Sequence, residues 1–286
     1  MSAPRAPARD NPPLAQGQYL LGEAEIERER LGRQHELWRA QVLEGWARAG
    51  FAAGMRVIDV GAGPGHATAD LASLVGPAGS VTAVARSSES IDDLRRRFAG
   101  SATPIRVEQV DLMTDAIPVD AGLHDASWCR WVAMFVPDID CLVARIAAAL
   151  KPGGVAVFHE YANYRTYGLL PHSAEVEEFV TRAVRGLEAC GGTVNAAGPV
   201  VTALARHGFT IEHLRLLPTI ARPHEPFWQW PSGFIRIFAP RLVSLGLWDD
   251  ASVSKLLATI DAAEHGGTSA FIGPLNCSII ARLDPR

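Results

Sequence analysis

The sequence predicts an α/β fold: one open, mostly parallel sheet of seven strands with helices on both faces, an N-terminal cap helix across it and two helical insertions as lids. Three observations lead there. Short β-branched apolar runs alternate with helix-periodic segments from residue 55 to 160, the pattern of a parallel sheet built by crossovers. The first run empties into a glycine turn, and a later Lys-Pro-Gly-Gly stops a helix just ahead of another run. At 286 residues and 48% hydrophobic content, the chain suits a single α/β core carrying insertions.

Each element has its own warrant. Residues 23–49 are helix-forming, and Trp38, Val42 and Trp46 recur at four-residue spacing on one face, as a cap helix requires. Buried strands are predicted at 57–60, 80–84, 105–110, 125–130 and 155–158. Ile139, Leu142, Val143, Ile146 and Leu150 give a helix that covers the sheet. Val176, Phe179, Val180, Ala183, Val184 and Leu187 form a second stripe, ended by Gly191 and Gly192. Residues 198–207 read as a returning core helix and 209–214 as a sixth strand. Val253, Leu256, Leu257 and Ile260 mark another amphipathic stretch, and 274–281 an antiparallel seventh strand. The expected organisation is a disordered, Pro/Ala/Arg-rich tail at 1–14 and one domain at 15–286. Its core is 50–160, 195–217 and 271–286, and its lid insertions are 161–194 and 218–270.

Composition narrows the partners. A net charge of −4 and a pI near 6.1, with no dense Lys/Arg cluster, argue against nucleic acid. Cys129, Cys141, Cys190 and Cys277 are scattered without a C-x-x-C pair and read as reduced thiols of a cytoplasmic protein. No apolar run is long enough for a membrane span, and the first 13 residues lack the apolar centre of a signal peptide. No His/Asp/Glu set has metal-ligand spacing. The expected partner is a small molecule, with a homodimer left open.

The run Val57-Ile58-Asp59-Val60-Gly61-Ala62-Gly63-Pro64-Gly65 departs from the dinucleotide fingerprint, because His66 stands where Gly-x-Gly-x-x-Gly wants its last glycine. With Asp59 two residues before the first glycine, it resembles motif I of the class I S-adenosylmethionine-dependent methyltransferases, in the ubiquinone/menaquinone-methyltransferase-like group. Asp111-Leu112 after the third strand and Lys151-Pro152-Gly153-Gly154 before the fifth match further landmarks in that family's order. The resemblance covers residues 15–160 well and the rest loosely. It implies a Rossmann-like fold and S-adenosylmethionine as cofactor. The activity it implies is methyl transfer to an oxygen, nitrogen or carbon of a small, partly aromatic metabolite.

The resemblance assigns roles residue by residue. Gly61, Gly63 and Gly65 would bring main chain beside the methionine part of the cofactor, or simply make a tight turn. Asp59 would orient the loop near the cofactor amine. Asp111 would accept from the adenine amino group with Leu112 packing nearby, or act as a turn former. The family's strand-two acid, which accepts from both ribose hydroxyls, is Ala85 here. Losing bonds to a charged acceptor costs about 1.5 to 3 kcal/mol. Ser87 has the closest reach to substitute, ahead of Arg86, Ser88 and Glu89. A methyltransferase-fold enzyme repurposed for rearrangement, cyclisation or decarboxylation is therefore the alternative.

Methyl transfer needs alignment, exclusion of water and, for a protonated nucleophile, a base. His159, at the end of strand five, is the candidate base or else a structural histidine. It and Glu160 point to opposite faces, so only one can look into a pocket. Arg130 can grip an acceptor carboxylate or phenolate, or the cofactor, or make a structural ion pair. The resemblance puts Trp131, after strand four, where acceptors meet the methyl group, and Tyr19, Tyr161, Tyr164, Trp228 and Trp230 offer aromatic surface to a ring acceptor and a cation–π face to the sulfonium, or serve as ordinary core. His66 reads as a helix-start residue and His124 as lying at the wrong end of the sheet.

Overall fold

A computed structural model describes residues 25–117 and 123–285. The predicted tail at 1–14 and Tyr19 lie outside those residues. Ten strands are described: β1 (Arg56–Val60), β2 (Ser80–Ala85), β3 (Ile105–Gln109), β4 (His124–Arg130), β5 (Leu150–Asn163), β6 (Gly168–Leu170), β7 (Phe209–Leu217), β8 (Ile220–Ala221), β9 (Ala270–Ile272) and β10 (Leu275–Leu283). The helices are α1 (Glu25–Ala49), α2 (His66–Val75), α3 (Ser88–Phe98), α4 (Ile139–Ala149), α5 (Ala174–Ala189), α6 (Ala197–Arg206), α7 (Gln229–Ser244) and α8 (Asp250–Gly266).

Seven strands form one sheet in the order β3-β2-β1-β4-β5-β10-β7. β1 to β5 pair in parallel, and β10 runs antiparallel between β5 and β7. The central strands β1 and β2 are buried on both faces, as cover by two helical layers requires, whereas the edge strand β3 is only partly buried. Strand order reverses between β1 and β4, the point at which open α/β sheets hold ligands beyond their carboxyl ends.

Local chemistry sets the helix ends. Ser87 caps α3 by accepting from the Ser90 N–H, Asp138 caps α4 through Cys141, and Ser173 caps α5 through Val176. In α1 the Trp38, Val42 and Trp46 side chains are fully buried against the sheet, which anchors this helix across β5 and β10. The insertions pack on one another as α5, α7 and α8, with α7 also against α1.

Two features differ from the sequence reading. β5 does not end at Phe158 but runs to Asn163, because β10 keeps pairing with it that far. The insertions also carry a second sheet, β6-β9-β8, which ties residues 168–170 to 270–272 under the lid helices.

Candidate cofactor and acceptor site

A cavity of about 560 Å³ lies beyond the carboxyl ends of β1, β2, β4 and β5, at the strand-order reversal. Its size falls in the range of small-molecule sites. One half is built by β1 to β3 and the turns after them. Gly61, Gly63 and Gly65 all have positive φ. Gly61 and Gly63 line the cavity, whereas Gly65 is the left-handed residue that starts α2 at His66. Nothing lies within 4 Å of a Cβ built on Gly63, so its main chain faces open space.

Asp59 is buried on the wall, and its Oδ2 accepts from the Thr68 hydroxyl at 2.6 Å. Burial raises its carboxyl to about 6, against the pull of Thr68 and Arg130. Asp111 and Leu112 also line this half, and Asp111 Oδ1 accepts from the Met113 N–H at 2.9 Å. That bond leaves Oδ2 for a ligand. Ser87 is on the wall too, but its proton and one lone pair serve α3: it accepts from Ser90 N–H and donates to Ser90 Oγ at 2.9 Å.

Arg130 stands between the halves. Its Nη2 donates to His35 Nδ1 at 3.0 Å, and His35 Nε2 meets Asp70 Oδ2 at 3.1 Å. An imidazole that accepts at Nδ1 must donate at Nε2, so His35 is locked in one neutral tautomer. Burial and the Arg130 charge agree, lowering His35 to about 4. Burial lowers Arg130 to about 10, which keeps it a cation at neutral pH. Its guanidinium lies over Trp131, 5.1 Å from the ring centroid, while the buried Nη1 has no hydrogen-bond partner among the described residues. A buried orphan donor of that charge suits an anionic ligand group.

The other half is aromatic. Trp131 stacks on Tyr161 at 5.7 Å and on Trp230 at 5.9 Å, and Tyr164, Tyr167 and Phe234 continue the wall. Trp131 holds a φ of 51°, a strained conformation for a bulky residue. Its indole donates to Asn276 Oδ1 at 2.7 Å, and Glu160 Oε1 accepts from both Val132 and Ala133 N–H at 2.9 Å. The strained turn is thus fixed from two sides. Burial pushes the Tyr161, Tyr164 and Tyr167 phenols up, so they act as donors rather than bases. Helix α1 closes this half with Glu27, Arg30 and Gln34: Arg30 grips Glu27 with two 2.7 Å bonds and reaches Gln34 Oε1, which also takes the Trp230 indole N–H. These three were not anticipated, although their spacing of three and four residues places them on the face of Trp38.

The structure corrects several sequence expectations. His159 does not face the cavity; it lies under α1, its Nε2 opposite Gly45 and its ring edge-on to Trp128. Burial and Arg130 lower it to about 3, so it is neither placed nor tuned as a base. Its neighbour Glu160 faces the other way yet also stays off the cavity wall, held by the Trp131 turn. Trp228 is fully buried against Phe271 and lines no part of the cavity, whereas Trp230, two residues on, does. His124 is a buried strand residue bonded to Thr82. Among the described residues no three His, Cys, Asp or Glu side chains gather as a metal site, and no helix is long and apolar enough to cross a membrane.

A methyltransferase domain family matches residues 57–154. The demethylmenaquinone methyltransferase of Lactococcus lactis subsp. lactis (strain IL1403) is 29% identical over 125 residues, 44% of this chain and 48% of that protein. The chain spans about half the length of the curated relatives it matches. Among solved structures, geranyl diphosphate C-methyltransferase from Streptomyces coelicolor A3(2), in complex with Mg²⁺, geranyl diphosphate and S-adenosyl-L-homocysteine, aligns with a TM-score of 0.52 at 18% identity. That alignment covers 94% of this chain and 89% of that one. The [4+2]-cyclase SpnF aligns with a TM-score of 0.52 at 18% identity, over 87% and 81%. Identities this low speak for the fold. The domain match at residues 57–154 and the sheet order give this chain the Rossmann-like fold of the methyltransferases it resembles.

Proposed function

We propose that this chain binds S-adenosylmethionine in the glycine-turn half of the cavity and directs its methyl group to an oxygen, nitrogen or carbon of a small, partly aromatic acceptor in the other half. The observation that carries this is the continuity of the cavity: a main-chain and carboxylate wall and an aromatic box line one space, with Arg130 beside Trp131 on its wall. When bound, the cofactor supplies an electrophilic methyl on a sulfonium. Asp59 holds the amine of its amino-acid tail, and the orphan Arg130 Nη1 takes the carboxylate. Asp111 Oδ2 accepts from the adenine amino group while Leu112 packs on the ring.

Trp131, Tyr161, Tyr164 and Trp230 sandwich a flat acceptor, exclude water and align it for in-line attack. The tyrosine hydroxyls donate to acceptor oxygens. With His159 withdrawn, the acceptor brings its own lone pair or anion. Calorimetry with S-adenosylhomocysteine and turnover of labelled S-adenosylmethionine with aromatic acceptors test the reading. Saturable one-to-one binding and acceptor-dependent label transfer are expected, and absence of binding at millimolar ligand refutes it.

A second reading is favoured by the same withdrawal of His159 together with the acceptor-less Ala85: the cofactor site persists while the aromatic box performs a rearrangement or cyclisation. Product formed without release of S-adenosylhomocysteine would select it.

A further inference from the structure

The adenosyl reading leaves the ribose without its usual carboxylate, and the inference that follows rests on that reading. β2 ends in Ala85, whose methyl is part of the cavity wall and accepts nothing. Ser87 gives its proton and one lone pair to Ser90, which leaves a single neutral lone pair where the family has a carboxylate. Asp93 is also on the wall, but Arg28 takes its Oδ2 at 3.2 Å and Arg96 its Oδ1. Glu89, in the first turn of α3, is different. Its Oε1 accepts from Arg28 Nη1 at 2.6 Å, and its Oε2 has no partner among the described residues. Its side chain is half exposed, so receiving a diol costs it little desolvation.

We propose that Glu89 takes the ribose hydroxyls in place of the missing strand-two acid, and that Arg28, on α1, clasps the same carboxylate so that the cap helix closes over a filled ribose pocket. One carboxylate oxygen serves the clasp and the other the ligand. Arg28 faces three carboxylates at once, those of Glu25, Glu89 and Asp93. Arg96 shares Asp93 and Arg86 lines the same mouth, so these carboxylates are matched in charge and Glu89 is the one with an oxygen left over for a ligand. Because α1 also supplies Glu27, Arg30 and Gln34 to the acceptor half, closure at the ribose end shapes the acceptor pocket.

Calorimetry on the full chain tests this with two ligands, S-adenosylhomocysteine and its 2′-deoxyribose analogue. Glu89→Ala is expected to weaken the first by roughly ten- to a hundredfold and to leave the second nearly unchanged, because the carboxylate and the hydroxyl are two ends of one interaction. Arg28→Ala is expected to weaken both several-fold and to keep the discrimination between them. Equal loss of both ligands in Glu89→Ala, or no loss of either, overturns the assignment. So does tighter binding of adenosine 2′,5′-bisphosphate than of adenosine 5′-monophosphate, which would make Arg86 the ribose reader. Wild-type protein that binds neither adenosyl ligand overturns the parent reading and this assignment with it.

Discussion

Gly61 and Gly63 share one turn and both have left-handed φ, +71° and +52°, yet alanine at the two positions is expected to fail in different ways. A Cβ on Gly61 would overlap Val132 Cγ2. Val132 has no room to yield: it is β-branched, its N–H is tied to Glu160, and the residue before it already holds a positive φ. Gly61→Ala therefore combines a left-handed cost of about 1 to 2 kcal/mol with an overpacking cost of about 1 to 3, roughly 2 to 5 kcal/mol together. Gly63→Ala meets nothing within 4 Å and carries only the first cost, about 1 to 2 kcal/mol. Its methyl projects where the cofactor is proposed to lie against main chain. In urea unfolding Gly61→Ala should lose the more stability, while in calorimetry Gly63→Ala should lose roughly tenfold or more in affinity for S-adenosylhomocysteine. Equal destabilisation of the two variants refutes the steric argument. Wild-type affinity in Gly63→Ala refutes the close approach and leaves the glycine a turn former.

Asp59 gives a pH dependence. Its carboxyl, raised to about 6 by burial, holds the ligand amine only when ionised, so affinity for S-adenosylhomocysteine should climb with pH up to about 6 and then level. Asp59→Asn should flatten that profile and bind roughly ten- to a hundredfold more weakly; a profile unaltered in the variant contradicts the role. Glu160 acts on stability instead. Burial raises it to about 8 from an unfolded value of 4.5, so the unfolded chain gives up this proton first. The stability is complete below about pH 4.5 and drains as pH rises to about 8, by at most about 1.4 kcal/mol per pH unit. Glu160→Gln keeps an acceptor for the Val132 and Ala133 N–H groups and should flatten that limb in urea titrations; an unchanged slope rejects the assignment. In the Glu89→Ala background, restoring the family acid with Ala85→Asp should recover roughly tenfold in affinity for S-adenosylhomocysteine, and no recovery would place the ribose elsewhere.

The sheet was readable in the sequence because β1, β2 and the middle of β5 are buried, β-branched runs with glycine turns beside them, from Asp59 to Gly154. The small β6-β9-β8 sheet was not. Its strands are two or three residues long, too short to show a period of two, and it pairs segments a hundred residues apart. The extension of β5 to Asn163 was hidden for a related reason, since it depends on β10 continuing alongside. His159 was misread through its neighbours. Alternation correctly set it opposite Glu160, but whether either face opens on a cavity depends on what covers it. Gly45 of α1 seals one side and the Val132–Ala133 turn the other.

The two halves of the site differ in legibility for the same physical reason. Glycine at a strand end announces close main-chain approach whatever the side chains around it do, so the cofactor half was written in a handful of adjacent residues. The acceptor half draws Gln34, Trp131, Tyr161 and Trp230 from four separated elements, and its shape depends on bonds among them such as Trp230 Nε1 to Gln34 Oε1. Trp228 and Trp230 carry the same chemistry two residues apart, and only the start of α7 at Gln229 sends one into the core and the other to the wall. On the proposed reading, acceptor choice follows from how α1 and α7 meet. Substitutions at their contact should change acceptor choice while leaving the glycine-turn half intact.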